Sequence, residues 1–525
     1  MGFGRRQGNT SSNYNTFGAR KDRRTIVGVL SFRQKWYLQG YRIASRRQEL
    51  PSAGFSLRLS DKGDYPLIHS SNHFVLGLFI LGVMLFTFTN PRNPGYVTGN
   101  QKPLTSEEIL KQMEEVLKNE YALWYPRCED TVYGGYFSDL DYQWEIKGRQ
   151  DKMIVTQARH VWSASHGKEY YADTKTLQKA AEHGYHFLRD VMWDKQDGGF
   201  YDLVDRQGTV VQEEGKIVKR AYGNAFAIYG LAAFYKAWGD PAALQLAKDA
   251  FLWLERHSYD STYGGYFQFM TREGAPFLDG YGVTPPKDQN SSIHLLESFT
   301  QLYEVWPDPL VRARLEGMLH LIRDKMVTER GYLMLFFKRD LTPISFRNAS
   351  ATERERNYEF DHVSFGHDIE TGYLLLEASH ALGLKNDTTT LRIAKLLVDH
   401  SLRYGWDKDH GGIYDGGYYF AGKTEPEIVR NTKEWWGQLE ALNSSLMMAQ
   451  LFPNDPMHYE QYFTRQWEYI EKYLIDHEHG GWYFDGIDTS PRSVKSPKSS
   501  IWKCNYPTSR ARITCINRLR VGSTK

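Results

Sequence analysis

Cysteine is scarce. The 525-residue chain has three, Cys128, Cys504 and Cys515, and no Cys-x-x-Cys pair. An odd, sparse set excludes a disulfide framework and a cysteine zinc site. Net charge is nearly absent as well, at +2. That total hides an asymmetry. Residues 1–64 carry 13 Lys and Arg against 4 Asp and Glu, net +9, which leaves about −7 for the remainder (2 − 9). A mildly acidic body is not a nucleic-acid binder, so no nucleic-acid partner is expected. No long low-complexity tract is present, and contents of 41% hydrophobic and 24% charged residues are those of a folded globular body.

Charge is also missing locally. Residues 65–91 contain no Lys, Arg, Asp or Glu, and within them Phe74 to Phe88 is almost wholly apolar. With its uncharged flanks this segment approaches the length that spans a bilayer. The basic excess lies before it, which places the N-terminus on the cytoplasmic side. The expectation is a basic, flexible extension over residues 1–104 whose segment 74–88 contacts or crosses a membrane, or serves in export. Otherwise the protein is cytoplasmic and the segment is a buried helix.

What the chain has in abundance is a repeated turn. Asp130, Asp194, Asp260, Asp407 and Asp476 each stand four residues ahead of a Gly-Gly pair, followed by two bulky apolar or aromatic residues. The steps are 64, 66, 147 and 69 residues by subtraction. The long step leaves room for one more unit, and Gly331-Tyr332 is its degenerate copy. Glycine tolerates the positive φ of a tight turn, and aspartate accepts backbone N–H bonds in an Asx turn. The aromatics behind each pair read as short strands of a hairpin.

Helical periodicity fills the intervals. Thr105-x-x-Glu108 is a capping box with an apolar face behind it. Further periodic segments are 176–191, 224–238, 244–256, 293–305, 310–326, 369–382, 391–404, 436–451 and 459–474. Six units of about two helices make an all-α (α/α)6 barrel over residues 105–525, with short β-hairpins at one mouth. An open solenoid of the same units is the alternative. The aromatic share of 14% suits both the gap between two helical rings and a sugar pocket.

Four constellations could carry chemistry. His367 and Glu370 lie at i, i+3 on one helix face, where an imidazole is a general base near neutral pH and a carboxylate could orient it. Asn290 and His294 lie at i, i+4 and offer an amide and an imidazole to sugar hydroxyls. Arg159 could stabilise an oxyanion. Trp435 and Trp436 adjoin at a helix start and could form a stacking platform. Structural roles compete with each: a helix-start histidine, an ion pair, or core tryptophans. Gly417 to Thr424 satisfies the P-loop pattern, but Tyr418, Tyr419 and Phe420 fill the loop and Pro426 follows, so it is read as a hairpin. No metal or cofactor is expected from these motifs.

Taken together, residues 287–303, 364–378, 433–442 and 502–511 resemble the N-acylglucosamine 2-epimerase superfamily, and most closely its cellobiose 2-epimerase branch, over about residues 107–520. The resemblance implies an (α/α)6 barrel and C2 inversion of a reducing-end aldose through a cis-enediolate. It implies that Arg159 lies near the C1 and C2 oxygens, and that Asn290 and His294 hold the sugar and help open its ring. His367 is implied as one acid/base group with Glu370 as its partner, and Trp435 or Trp436, with Trp502, as stacking residues.

One position departs from that pattern. The family usually has histidine, its second acid/base group, where this chain has Pro507. Losing a general acid/base costs about 10²–10⁴-fold. The readings left open are a 2-epimerase of β-1,4-linked disaccharides, a one-base aldose–ketose isomerase, a glycoside hydrolase using carboxylates such as Asp361, Glu370 or Glu440, and a non-catalytic sugar binder.

Overall fold

The computed structural model describes residues 104–522. Thirteen α-helices lie among the described residues. In chain order they are α1 (Ser106–Trp124), α2 (Ile154–His166), α3 (Thr174–Phe187), α4 (Ala221–Trp238), α5 (Pro241–His257), α6 (Gln289–Val305), α7 (Pro309–Leu321), α8 (Ala351–Asn357), α9 (Phe365–Ala381), α10 (Thr388–Tyr404), α11 (Trp435–Leu451), α12 (Tyr459–Tyr473) and α13 (Tyr506–Gly522). α1 begins at the expected box: the Thr105 hydroxyl accepts from the Glu108 amide, and the Glu108 carboxylate accepts from the Thr105 amide.

The helices form two rings. α2, α4, α6, α9, α11 and α13 are the inner ring, each packed on the next, with α13 returning to α2. The barrel is therefore closed, and the open solenoid is excluded. The inner helices are buried almost all round; in α4 every residue from Ala221 to Phe234 is buried. A helix covered on all sides shows no strong apolar stripe. The outer helices α3, α5, α7, α10 and α12 back α2, α4, α6, α9 and α11, while α1 backs α13. They are amphipathic: α10 buries Ala394, Leu397, Val398, Ser401 and Leu402. The short α8 is largely exposed and precedes α9.

Every complete turn is held by one device. The Oδ1 atoms of Asp130, Asp194, Asp260, Asp407 and Asp476 each accept from the backbone amides two and three residues on. The Oδ2 atoms receive a buried ammonium. Lys152 meets Asp130 at 3.0 Å, Lys219 meets Asp194 at 3.0 Å, Lys287 meets Asp260 at 2.9 Å and Lys433 meets Asp407 at 2.7 Å. Lys498 does the same for Asp476. Four of these lysines also donate to the carbonyl of the turn's first glycine. Both glycines of a pair have positive φ, as at Gly264 (77°) and Gly265 (71°).

The degenerate unit lacks both partners. Val327 pairs with Leu333 as Tyr259 pairs with Tyr266, so Thr328 stands where the others have aspartate. Val363 opens the strand before α9, as Lys287 opens the strand before α6. Burying one ion without the other is costly, and here the two disappear together.

The strands are short and antiparallel: β1 (Lys152–Met153), β2 (Leu203–Val204), β3 (Val218–Arg220), β4 (Phe269–Thr271), β5 (Lys287–Asp288), β6 (Phe336–Phe337), β7 (Val363–Ser364), β8 (Gly416–Tyr418) and β9 (Glu427–Arg430). They pair as β1-β2, β3-β4, β5-β6 and β7-β8-β9. The register sets Lys152 against Val204, Lys287 against Phe337 and Val363 against Gly417. Each sheet joins the entry of an inner helix to the next unit, at the mouth. The P-loop look-alike spans β8 and its turn, and no helix follows it.

Three helices escape the periodicity reading: α2, α8 and α13. α2 and α13 carry Arg159, Thr508, Ser509, Arg510 and Arg512 inside the barrel, where apolar periodicity has no signal to give. Among the described residues no helix is long and apolar enough to cross a membrane. The segment 74–88, and the extension 1–104 but for Leu104, lie outside the described residues.

Candidate active site

The lysine positions supply a common frame. Each inner helix from α2 to α11 begins two residues after Lys152, Lys219, Lys287, Val363 or Lys433. Seven residues after those positions come Arg159, Phe226, His294, Glu370 and Glu440, by subtraction. Three or four residues after them come Tyr222, Asn290, His367 and Trp436. Offsets of three, four and seven share a helix face. Five helices thus present one stripe at one height, toward the barrel axis.

At the centre stands Arg510 of α13. Its Nη1 donates to Glu297 at 2.9 Å, and its Nη2 donates to Glu370 at 3.1 Å and to Glu440 at 2.6 Å. All four side chains are buried. Burial alone would raise the Glu297 pKa, but the Arg510 charge and the His294 hydrogen bond hold it at about 2. Glu370 and Glu440 move the other way. Burial raises both, and the Glu440 charge adds to the shift at Glu370 against the pull of Arg510.

His294 Nδ1 lies 2.9 Å from Glu297 Oε2, and the Tyr506 hydroxyl donates to Glu297 Oε1 at 2.5 Å. Burial keeps His294 neutral, with a pKa near 4 that Glu297 raises only in part. The His294 ring is flanked by Tyr222 and Phe226, at 5.3 and 4.7 Å between centroids. Arg159 reaches the same pair: Nη2 donates to the Tyr222 hydroxyl at 3.3 Å, and the guanidinium lies 4.2 Å over Phe226. Trp502, half-buried, is 6.4 Å from Tyr222. The Nε of Arg159 and the Oδ1 of Asn290 are buried with no hydrogen-bond partner among the described residues.

His367 stands in the first turn of α9, with Ser364 Oγ 2.7 Å from its Nδ1. Glu370, its expected carboxylate partner, hydrogen-bonds Arg510 through Oε1. The His367 ring lies 4.7 Å from Trp436. Gly366 permits this approach: a Cβ there would fall 2.7 Å from Trp436 Cη2. The Trp435-Trp436 pair is thereby resolved. Trp435 turns into the core against Phe484, 4.6 Å between centroids, because adjacent helical residues point about 100° apart. Trp436 is half-buried beside His367, and its indole donates to Glu434.

The structure therefore brings Arg159, His294, Glu297, Glu370, Glu440, Tyr506 and Arg510 into one connected group. His367 lies one turn before Glu370 and has Trp436 beside it. Pro507 is buried in the first turn of α13, next to Tyr506. Proline suits a first helical turn, where its missing N–H costs nothing. Sequence reasoning missed Glu297, Arg510, Tyr506, Tyr222 and Phe226 as site residues. The spacing of Tyr222 and Phe226 after Lys219 could have signalled those two. Two carboxylate groups have metal-like geometry. In the first, the Lys433 ammonium meets Asp407 and Asp488 at 2.7 Å each, and His410 lies 3.5 Å from Asp407. Asp415, Glu434 and Asp485 converge nearby, where Glu434 also accepts from Trp436.

Residues 135–504 match the family model for N-acylglucosamine 2-epimerase. The chain belongs to that family. Its similarities place it in the cellobiose 2-epimerase branch, among carbohydrate epimerases and isomerases. It is 28% identical over 425 residues to a cellobiose 2-epimerase of Bacteroides fragilis, covering 79% of this chain and 99% of that one. It is 23% identical over 308 residues to a D-mannose isomerase of Thermobifida fusca, covering 58% and 70%. The solved cellobiose 2-epimerase of Spirochaeta thermophila is similar with a TM-score of 0.68 at 26% identity, covering 80% of this chain and 98% of that one.

Proposed function

We propose that residues 105–525 form a sugar 2-epimerase that inverts C2 of the reducing-end aldose of a β-1,4-linked disaccharide, cellobiose being the first substrate to try. The supporting observation is the convergence of two histidines, a buried arginine and a buried carboxylate on the axis-facing stripe of one closed barrel. Arg159 is the cation for the C1 and C2 oxygens as they gain charge in the enediolate. Its unpartnered Nε leaves a donor for them. His367 exchanges the C2 proton on one face of the sugar, with Nδ1 held by Ser364 so that Nε2 is the working nitrogen. Glu370, raised by burial, donates its proton in a hydrogen bond to a sugar oxygen. Asn290 and His294 hold the opened chain, and Trp436 and Trp502 stack on the sugar rings.

Incubation of the full chain with cellobiose, followed by NMR, should yield glucosyl-mannose. His367→Asn should abolish it while the circular dichroism stays unchanged. Formation of glucosyl-fructose instead would make the chain an isomerase, and free glucose would make it a hydrolase. Sugar binding without any product would make it a binder.

A further inference from the structure

Inverting C2 requires a proton removed from one face of the sugar and another delivered to the opposite face. Five histidines lie on inner helices among the described residues: His160, His166, His294, His367 and His380. His166 and His380 stand in last turns, away from the mouth. His160 is occupied elsewhere, with its Nδ1 3.2 Å from the Tyr125 hydroxyl and its ring stacked on Tyr136. Of these five, His294 and His367 are left, on the neighbouring helices α6 and α9; the buried His362, before β7, lies against Tyr358 and Glu359. Residue 507 offers no titratable side chain.

We infer that His294, positioned by Glu297, is the acid/base group for the C2 face opposite His367. The inference rests on the 2-epimerase reading above. Glu297 receives the Nδ1 proton of His294, which directs the Nε2 lone pair to the substrate. Glu297 is itself fixed by Tyr506 and Arg510. Tyr222 and Phe226 flank both His294 and Arg159, so the nitrogen that moves the proton and the cation that steadies the oxygens share one wall. The neutral form that burial favours is the form a base needs.

The C2–H bond breaks and its proton goes to His294 Nε2. Its electron pair forms the C1–C2 double bond, and the carbonyl pair moves onto O1 beside Arg159. The O1 pair then returns to re-form the carbonyl, and C2 takes a proton from protonated His367 on the other face. Water restores both histidines. In the reverse direction the two exchange roles.

The test uses His294→Gln, whose amide keeps a donor for Glu297 but has no basic nitrogen, with His294→Asn as a second variant. Cellobiose and glucosyl-mannose are incubated separately in D2O and read by NMR. Epimerisation should fall by about 10²–10⁴-fold. Deuterium should still enter C2 of one epimer only, without inversion, through His367. His367→Asn should show the reciprocal pattern. Loss of exchange in both epimers, in a variant that still binds cellobiose by calorimetry, would assign His294 to ring opening and overturn the inference. Unchanged epimerisation would overturn it as well. The unaltered protein supplies a further check: cellobiose deuterated at C2 should yield glucosyl-mannose with no retained label, and retention would mean a single base. Absence of C2 exchange in the unaltered protein would instead reject the epimerase reading itself.

Discussion

Replacing Lys287 by methionine should show what the buried turn lysines contribute. Methionine keeps most of the side chain's volume and removes three bonds: to Asp260 at 2.9 Å, to the Gly264 carbonyl at 2.7 Å and to the Arg339 carbonyl at 2.8 Å. Breaking a buried ion pair from one side costs about 3–5 kcal/mol. Asp260 retains Arg339 at 3.4 Å and two backbone amides, which sets the expectation near the lower end, about 3 kcal/mol. The degenerate unit suggests the compensating change. Lys287→Val with Asp260→Thr copies the Val363 and Thr328 combination that the fourth turn already carries. The double variant should cost less than the sum of its single changes by about 1–2 kcal/mol. Urea unfolding of the full chain, followed by circular dichroism across the four-member cycle, measures this directly. Strict additivity, or a Lys287→Met variant within about 0.5 kcal/mol of the parent, would refute the view that these lysines are held as buried pairs.

Other consequences follow from the same geometry. Arg159→Met should lower kcat by about 10²–10³-fold with a smaller change in KM, since on the proposed mechanism its charge is needed most in the enediolate; equal binding and rate losses would make it a substrate anchor instead. Pro507→His should raise the epimerisation rate, measured on cellobiose, and an unchanged or lower rate would mean that α13 has been put to another use. Stability should fall in acid. Asp130 and Asp407 are held at about 2, below the ordinary 3.8: burial would raise them, but Arg206 and Lys152 on the first, and Lys433 on the second, overcome it. A depressed carboxylate stabilises the fold above its unfolded value. That contribution is lost as pH drops from about 4 through about 2. A urea midpoint that is flat over that interval would contradict the pairing.

The ring was legible because its signal is local. Asp-x3-Gly-Gly needs only a few residues to declare a turn, and the spacing of the turns counts the units. The lysines that complete those turns were not legible. They lie 22 to 27 residues downstream, by subtraction from Lys152–Asp130 and Lys287–Asp260, and a buried lysine is rare enough that sequence reading looks for it at the surface. The site divides in the same way. His367, His294 and Arg159 stand out as unusual residues in helical or near-helical runs. Arg510 does not, since it falls in a stretch, Pro507 to Arg512, too polar to read as core. Only closure of α13 onto α2 brings it among Glu297, Glu370 and Glu440. Neither could adjacency choose between Trp435 and Trp436; the close passage of α9 at Gly366 decides it.

The central claim is that this barrel moves the proton at C2 of a reducing-end aldose. Its most direct test is deuterium entry at C2 of cellobiose when the unaltered protein is incubated in D2O and read by NMR. The account predicts C2 deuteration together with a mannose-type reducing end. A reducing end that keeps its C2 proton after prolonged incubation, with bound sugar demonstrated by calorimetry, would contradict it.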